Sequence, residues 1–262
     1  MGNQFLSNIR ETDAIIHVVR AFENDDIVHV SGKVSPIDDI EIINTELILS
    51  DLSIVEKLYQ KAQKNTKSGQ KEGMPMKELV EKILTALKEG TSLRKLTFGK
   101  EELVLLKNFQ LLTLKPVLYV ANVNESGFEN NPHLDLILDY ATQDHSKVVP
   151  ICAEIEAEIC ELSNDEKKEF LLEMGQNESG LDRLIKAGYD LLGLHTYFTA
   201  GEKEVKAWTI TVGDSAPVAA GKIHTDFEKG FIRAETISFQ DYIDYKGEKG
   251  AKDAGKLRTE GK

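Results

Sequence analysis

Apolar positions along the 262-residue chain change their period several times, and each change marks an element. A polar stretch with helical spacing, Asn3 to Thr12, gives way to the run Ala14-Ile15-Ile16-His17-Val18-Val19. That short β-branched run predicts a buried strand, most naturally in a parallel sheet, with His17 as a satisfied core residue. Ser35 as a cap and Pro36 in a first turn predict a helix start. From about residue 45 to 112 the period is helical. Leu52, Val55, Leu58, Tyr59 and Ala62 share one face; Leu79, Val80, Ile83, Leu84 and Leu87 repeat it in a second helix that Pro75 starts and Gly90 ends. Lys64 to Gly73 between them is lysine-rich and polar and predicts an exposed hairpin tip. A third helix is expected over Glu101–Leu112, so the whole segment predicts an antiparallel helical arm.

Strand-like runs then return at Val117-Leu118-Tyr119-Val120-Ala121 and Val148-Val149-Pro150-Ile151-Cys152-Ala153, with a helix-compatible stretch between them. Strands alternating with helices imply a parallel α/β sheet with right-handed crossovers, into which the arm is inserted. After about residue 193 the texture becomes that of a small α+β domain. Thr196–Thr199 and Ala207–Ile210 read as paired strands around Gly201, Ala216–Ile223 as a helix and Phe231–Ala234 as a further strand, with Trp208 as the core anchor. The stretch Lys246–Lys262 carries six basic residues against Glu248, Asp253 and Glu260 and is glycine-rich, which reads as flexible.

Composition narrows the function classes. A net charge of -12 repels phosphate backbones, so general nucleic-acid affinity and sequence-specific DNA binding are not expected. Two cysteines, Cys152 and Cys160, with no CxxC, suggest neither a disulfide framework nor a zinc site and fit a reducing compartment. No apolar run approaches the roughly 18 residues of a spanning helix. A cytoplasmic location without membrane contact is the expectation.

Ligands of open parallel sheets gather beyond the carboxyl ends of the strands. There the chain places Asn122-Val123-Asn124-Glu125 after one strand and Cys152-Ala153 after another. An Asn amide can serve a purine N7 and an exocyclic group, and a carboxylate can accept from ring or amino N–H groups. Alone, an Asn-x-x-Glu after a strand is also what an ordinary turn looks like. The scattered His133, His145, His195 and His224 have no ligand spacing, and no metal site is expected.

Longer stretches add what spacing cannot. Residues 2–31, Leu112-Thr113-Leu114-Lys115-Pro116, Ala121 through Pro132, Gly221 through Phe231, and Tyr245-Lys246-Gly247-Glu248 together resemble the YchF-type Obg-like ATPases over essentially the whole chain. The resemblance implies a P-loop NTPase domain in two parts (1–45 and 113–193), an inserted helical arm (46–112) and a β-grasp domain of the TGS type (194–262). It implies ATP as ligand, with GTP also bound, Mg2+ as the cofactor of the full-length protein, and a ribosome or ribosomal subunit as partner. It matches Asn122 and Glu125 to a variant base-reading motif, Val123 to the position whose backbone lies against the base, and Cys152 and Ala153 to the loop closing over it. His29 matches a segment that follows the second switch, where it would position the attacking water. Lys222, Lys229, Arg233 and Lys246 are the candidate ribosome or RNA contacts.

The sequence departs from the family at one decisive point: it contains no G-x-x-x-x-G-K-[ST]. Phosphoryl transfer depends on backbone amides, a Lys and Mg2+ around the triphosphate, so this polypeptide is expected to be hydrolytically inactive. Truncation at both ends, including an incomplete β-grasp domain, is likewise expected. Three functional alternatives stay open: an ATPase active only at full length, a non-catalytic ribosome-docking module, and a truncated frame without a stable fold.

Overall fold

The computed structural model describes residues 3–30, 32–67, 73–201 and 203–261. Contacts divide the chain between Leu192 and Gly193 into two compact units. In the first, α1 (Asn3–Arg10) leads into β1 (Ile15–Arg20), and α2 (Pro36–Lys67) starts at the expected Ser35-Pro36. Asp38 and Asp39 lie in its first turn, where carboxylates complement the helix dipole. The chain returns through α3 (Gly73–Lys88) and α4 (Lys100–Lys107) to β2 (Val117–Asn122). Helix α5 (Pro132–Gln143), β3 (Lys147–Ile151), α6 (Ala153–Glu161), α7 (Asn164–Glu173) and α8 (Gly180–Leu191) complete the unit.

The three strands form a parallel sheet in the order β1-β2-β3. One face packs Val19, Tyr119, Ala121 and Val123 against Ile40, Ile137 and Ile155. On the other, Leu118, Val120, Val149 and Ile151 meet Leu184, Ala187 and Leu191 of α8. That cover does not reach β1. Ile16 is 51% and Val18 65% exposed, so the expected buried strand is buried on one face only. β1 lies at the edge of the described sheet, and the even-numbered side chains point to the uncovered face.

The arm is the outward continuation of α2, which passes residue 45 without a break. Val55, Val80, Ile83, Leu84 and Leu87 form the seam between α2 and α3. Gly90 (φ +75°) ends the helix in a Schellman turn, with the N–H of Thr91 donating to the carbonyl of Ala86 and that of Gly90 to Leu87. Residues 68–72 of the expected tip lie outside the described residues. The helix expected over Glu101–Leu112 stops at Lys107, because Gln110 takes φ +48° and the chain is captured by Asp51. That fully buried carboxylate accepts from the N–H groups of Leu112 (3.0 Å) and Thr113 (2.8 Å), from Thr113 Oγ1 (2.8 Å) and from Arg10 Nη1 (3.2 Å).

In the second unit β4 (Leu194–Ala200) and β5 (Val205–Thr211) form an antiparallel hairpin. Helices α9 (Ala216–Ile223) and α10 (Thr225–Lys229) follow, then β6 (Arg233–Thr236), α11 (Phe239–Asp244), α12 (Glu248–Asp253) and β7 (Arg258–Gly261). β6 pairs antiparallel with β7. The stretch after Lys246 is therefore a helix and a strand rather than a flexible tail. Gly247 at φ +113° and Gly255 at φ +69° serve turns, and Ala251 is fully buried. Trp208 is half-buried rather than a core anchor; its Nε1–H donates to Thr199 Oγ1 (2.9 Å) and Lys206 Nζ lies 4.1 Å from the ring centre.

Candidate functional site

Parallel register brings Arg20, Asn122 and Ile151 side by side at the carboxyl ends of the three strands. The ladder continues one step further: Ala21 N–H donates to the Asn122 carbonyl (2.8 Å) and Val123 N–H to that of Ile151 (2.9 Å). Beyond it the chains diverge into loops, which opens the crevice such sheets use for ligands. Asn122 Oδ1 accepts from the N–H of Ala153 (3.1 Å), the first residue of α6. This bond joins two of the residues singled out in the sequence and leaves the Asn122 Nδ2 donor without a partner among the described residues. Val123 and Cys152, each 2% exposed, lie beneath them; Ala153 and Glu125 are exposed. Glu125 occupies a tight turn closed by the Gly127 N–H donating to the Asn124 carbonyl (2.9 Å). A Cβ on Gly127 would lie 2.5 Å from Asn124 Oδ1, so this turn admits only glycine without rearrangement.

His29 lies on the loop after β1, with Nε2 3.0 Å from Asp39 Oδ2 in the first turn of α2. That contact holds the imidazole against α2, and no described contact brings it to Asn122 or Glu125. Arg20 was not foreseen. Its guanidinium donates to the carbonyls of Phe22 (3.0 Å), Asn24 (3.2 Å) and Ile27 (3.0 Å) and stands 4.7 Å from the Phe22 ring centre, gathering the loop beside the crevice. A basic residue closing an apolar strand was the only hint of it.

A second polar centre lies at the root of the arm. Arg94 Nε donates to Asp144 Oδ2 (2.9 Å) and Nη2 to Asn44 Oδ1 (2.8 Å), while Asn44 Nδ2 donates to the Tyr140 hydroxyl (3.0 Å). Tyr119, three residues before Asn122, also donates to Asp144 Oδ2 (2.9 Å). Burial and the Asp144 charge push the Tyr119 hydroxyl up to about 12. Burial likewise raises Tyr140, helped by its bond to Glu41. Arg94, Lys95, Asp144, His145 and Ser146 border a concavity of about 490 Å3 with apolar walls.

Lys222, Lys229, Arg233 and Lys246 are all exposed in the second unit. Arg233 lines a shallow concavity of about 660 Å3 with Phe227, Phe231 and Ile232. Lys222 and Lys229 lie in the last turns of the adjoining helices α9 and α10; Lys246 stands apart between α11 and α12. Among the described residues no group of three or more His, Cys, Asp or Glu side chains is arranged to hold a metal. No described helix is long and apolar enough to cross a membrane.

Comparison with known proteins sets this geometry in a family. The YchF-GTPase_C family model, described as "Protein of unknown function (DUF933)", matches residues 194–262. The chain is 59% identical over 262 residues to a protein of Escherichia coli O157:H7 named "Ribosome-binding ATPase YchF", covering 100% of this chain and 72% of that protein. A Bacillus subtilis (strain 168) protein of the same name is 52% identical over 265 residues, with the same coverage. Among solved structures, the Schizosaccharomyces pombe YchF GTPase superposes with a TM-score of 0.87 at 38% identity, over 100% of this chain and 71% of that one. A GTP binding protein from Pyrococcus horikoshii OT3, at 19% identity and a TM-score of 0.56, covers 88% of this chain and 74% of its own and shares the fold. By sequence over its full length and by fold, the chain belongs to the YchF family of P-loop NTPases.

Proposed function

We propose that this chain carries the base-recognition part of the purine-nucleotide site of a ribosome-associated ATPase, built from Asn122, Val123, Glu125, Cys152 and Ala153. The observation that carries the reading is the Asn122 Oδ1 bond to the Ala153 N–H. It fixes the amide and leaves Nδ2 to donate to an acceptor such as a purine N7. Glu125, exposed three residues on, supplies a carboxylate for an exocyclic amino or ring N–H group. A longer Glu, in place of a closely placed Asp, relaxes the paired geometry that guanine needs and admits ATP, with GTP as a second ligand.

The names of the relatives support ATP hydrolysis and ribosome binding as the setting. For the 262-residue polypeptide itself the reading is binding without turnover, with His29 in a water-positioning role only where a triphosphate is held. The described residues do not form a set that fits Mg2+, so no step is assigned through it. Titrating adenosine, cytidine and ATP against the wild-type chain and Asn122→Ala tests the site. Adenosine should bind more tightly than cytidine, and the variant should lose at least about fivefold in affinity, the worth of one hydrogen bond. Equal binding of both nucleosides sinks base recognition, and magnesium-dependent phosphate release at an ordinary ATPase rate sinks the inactivity.

The exposed cations of the second unit favour a docking role alongside. A Lys222→Glu, Lys229→Glu, Arg233→Glu variant should cease to co-sediment with ribosomes, and wild-type co-sedimentation should fade as salt rises. Unchanged co-sedimentation removes these residues from the contact.

A further inference from the structure

Asn131 stands at the N-terminus of α5 and uses both ends of its side chain. Its Oδ1 accepts from the N–H groups of His133 (3.0 Å) and Leu134 (3.3 Å), which caps the helix. Its Nδ2 donates to the carbonyl of Ala21 (2.8 Å) and to that of Gly127 (3.0 Å). Ala21 begins the loop after β1, and Gly127 closes the turn that contains Glu125. One amide therefore ties together two loops that are 110 residues and 4 residues away in sequence. The Ala21 N–H is already committed to the Asn122 carbonyl (2.8 Å), so the tie reaches the base-reading strand through a single residue, Ala21. Arg20, bonded to three carbonyls of the first loop, stiffens the same side.

We infer that Asn131 is a positioning residue for the base site: its oxygen serves the helix, and its nitrogen holds the Glu125 turn and the β1 loop at a fixed separation beside Asn122. This rests on the base-site reading above. The two duties are chemically separable. Serine at 131 keeps a capping oxygen and loses the amide donors, with no new repulsion. Aspartate keeps the cap, and gains from the helix dipole, but turns an oxygen towards two carbonyls.

The test compares the wild-type 262-residue chain with Asn131→Ser, Asn131→Asp and Asn122→Ala, using adenosine as the probe and hydrogen exchange as a ligand-free readout. Asn131→Ser should weaken adenosine by about fivefold or more, and Asn131→Asp more strongly. Amides of 21–24 and 124–127 should exchange faster in both, while the interior of α5 and the β2 ladder keep their protection. Normal adenosine affinity in Asn131→Ser beside lost affinity in Asn122→Ala overturns the positioning role alone. Faster exchange spread evenly over α5 and β2 assigns Asn131 to stability and overturns it too. If Asn122→Ala binds adenosine like the wild type, the base-site reading itself fails, and this inference with it.

Discussion

The two units of the chain solve the same problem with unequal means. The first buries side chains in four clusters around a sheet and an arm, including Tyr119, Ile40, Ile83, Leu93 and Ile137 at 0% exposure. In the second, Ala251 is the one buried residue among the described residues, while Phe198, Val205, Phe227, Ile232, Phe239 and Ile243 are each more than half exposed. Hydrophobic stabilisation follows the apolar area removed from water, so the first unit is held by its interior. The second relies on turns, short helices and main-chain pairing. A candidate site that needs fixed geometry belongs on the first frame, and adaptable surface contacts suit the second.

The sharpest way to break this contrast is at Asp51. Replacing it with alanine strands the N–H groups of Leu112 and Thr113 in the interior and leaves Arg10 without its carboxylate. The expected loss is about 3 kcal/mol or more in the first unit, read by denaturant titration with hydrogen exchange resolving the units. A loss under about 1 kcal/mol would mean that water reaches this carboxylate and that the interior matters less than its burial implies.

Gly250→Ala makes the complementary attack. A Cβ there would lie 1.9 Å from the carbonyl oxygen of Tyr245, a backbone atom that cannot swing aside as a side chain can. The expected cost is about 2 kcal/mol, in the second unit. Trp208 is the single tryptophan of the chain, so its fluorescence reports that unit directly. A wild-type Trp208 transition in Gly250→Ala would show that α12 contributes little to the second unit.

How much of this was legible beforehand differs by element for physical reasons. The β-branched runs at β1, β2 and β3 and the Gly90 that ends α3 are local signals, and they were readable, whereas α3 begins at Gly73, two residues before the expected start at Pro75. So was the strand-end position of Asn122, because ligand crevices follow from topology. The fold of residues 246–261 was hidden, since β7 finds its partner β6 some way back along the chain and glycine-rich composition mimics a linker. Asp51, the Arg94–Asp144 pair and the Asn131–Ala21 bond join residues 50 to 110 positions apart, distances at which no local pattern speaks. Asn131 was not singled out in the sequence: its cap of α5 went unread, and its second duty needed the loops in place.

The smallest effect sharpens the contrast from within the first unit, at His17. Its imidazole lies 5.7 Å from the Tyr119 ring centre, and burial, then the Arg94 charge, holds its pKa below 6.5, with Asp39 opposing. Below pH 6.5 the unfolded chain takes up a proton that the folded chain still refuses. The unfolded state therefore binds more protons in that window, and stability must rise with pH across it. Lowering the pH from about 7.5 towards the depressed folded value should erode the first unit, while above 6.5 this contribution is flat. His17→Phe keeps a ring beside Tyr119 and removes the titration, so its stability should fall less steeply over the same interval. Parallel slopes for the two proteins would show that His17 titrates alike folded and unfolded, and that even this unit's interior is open to water at its edge strand.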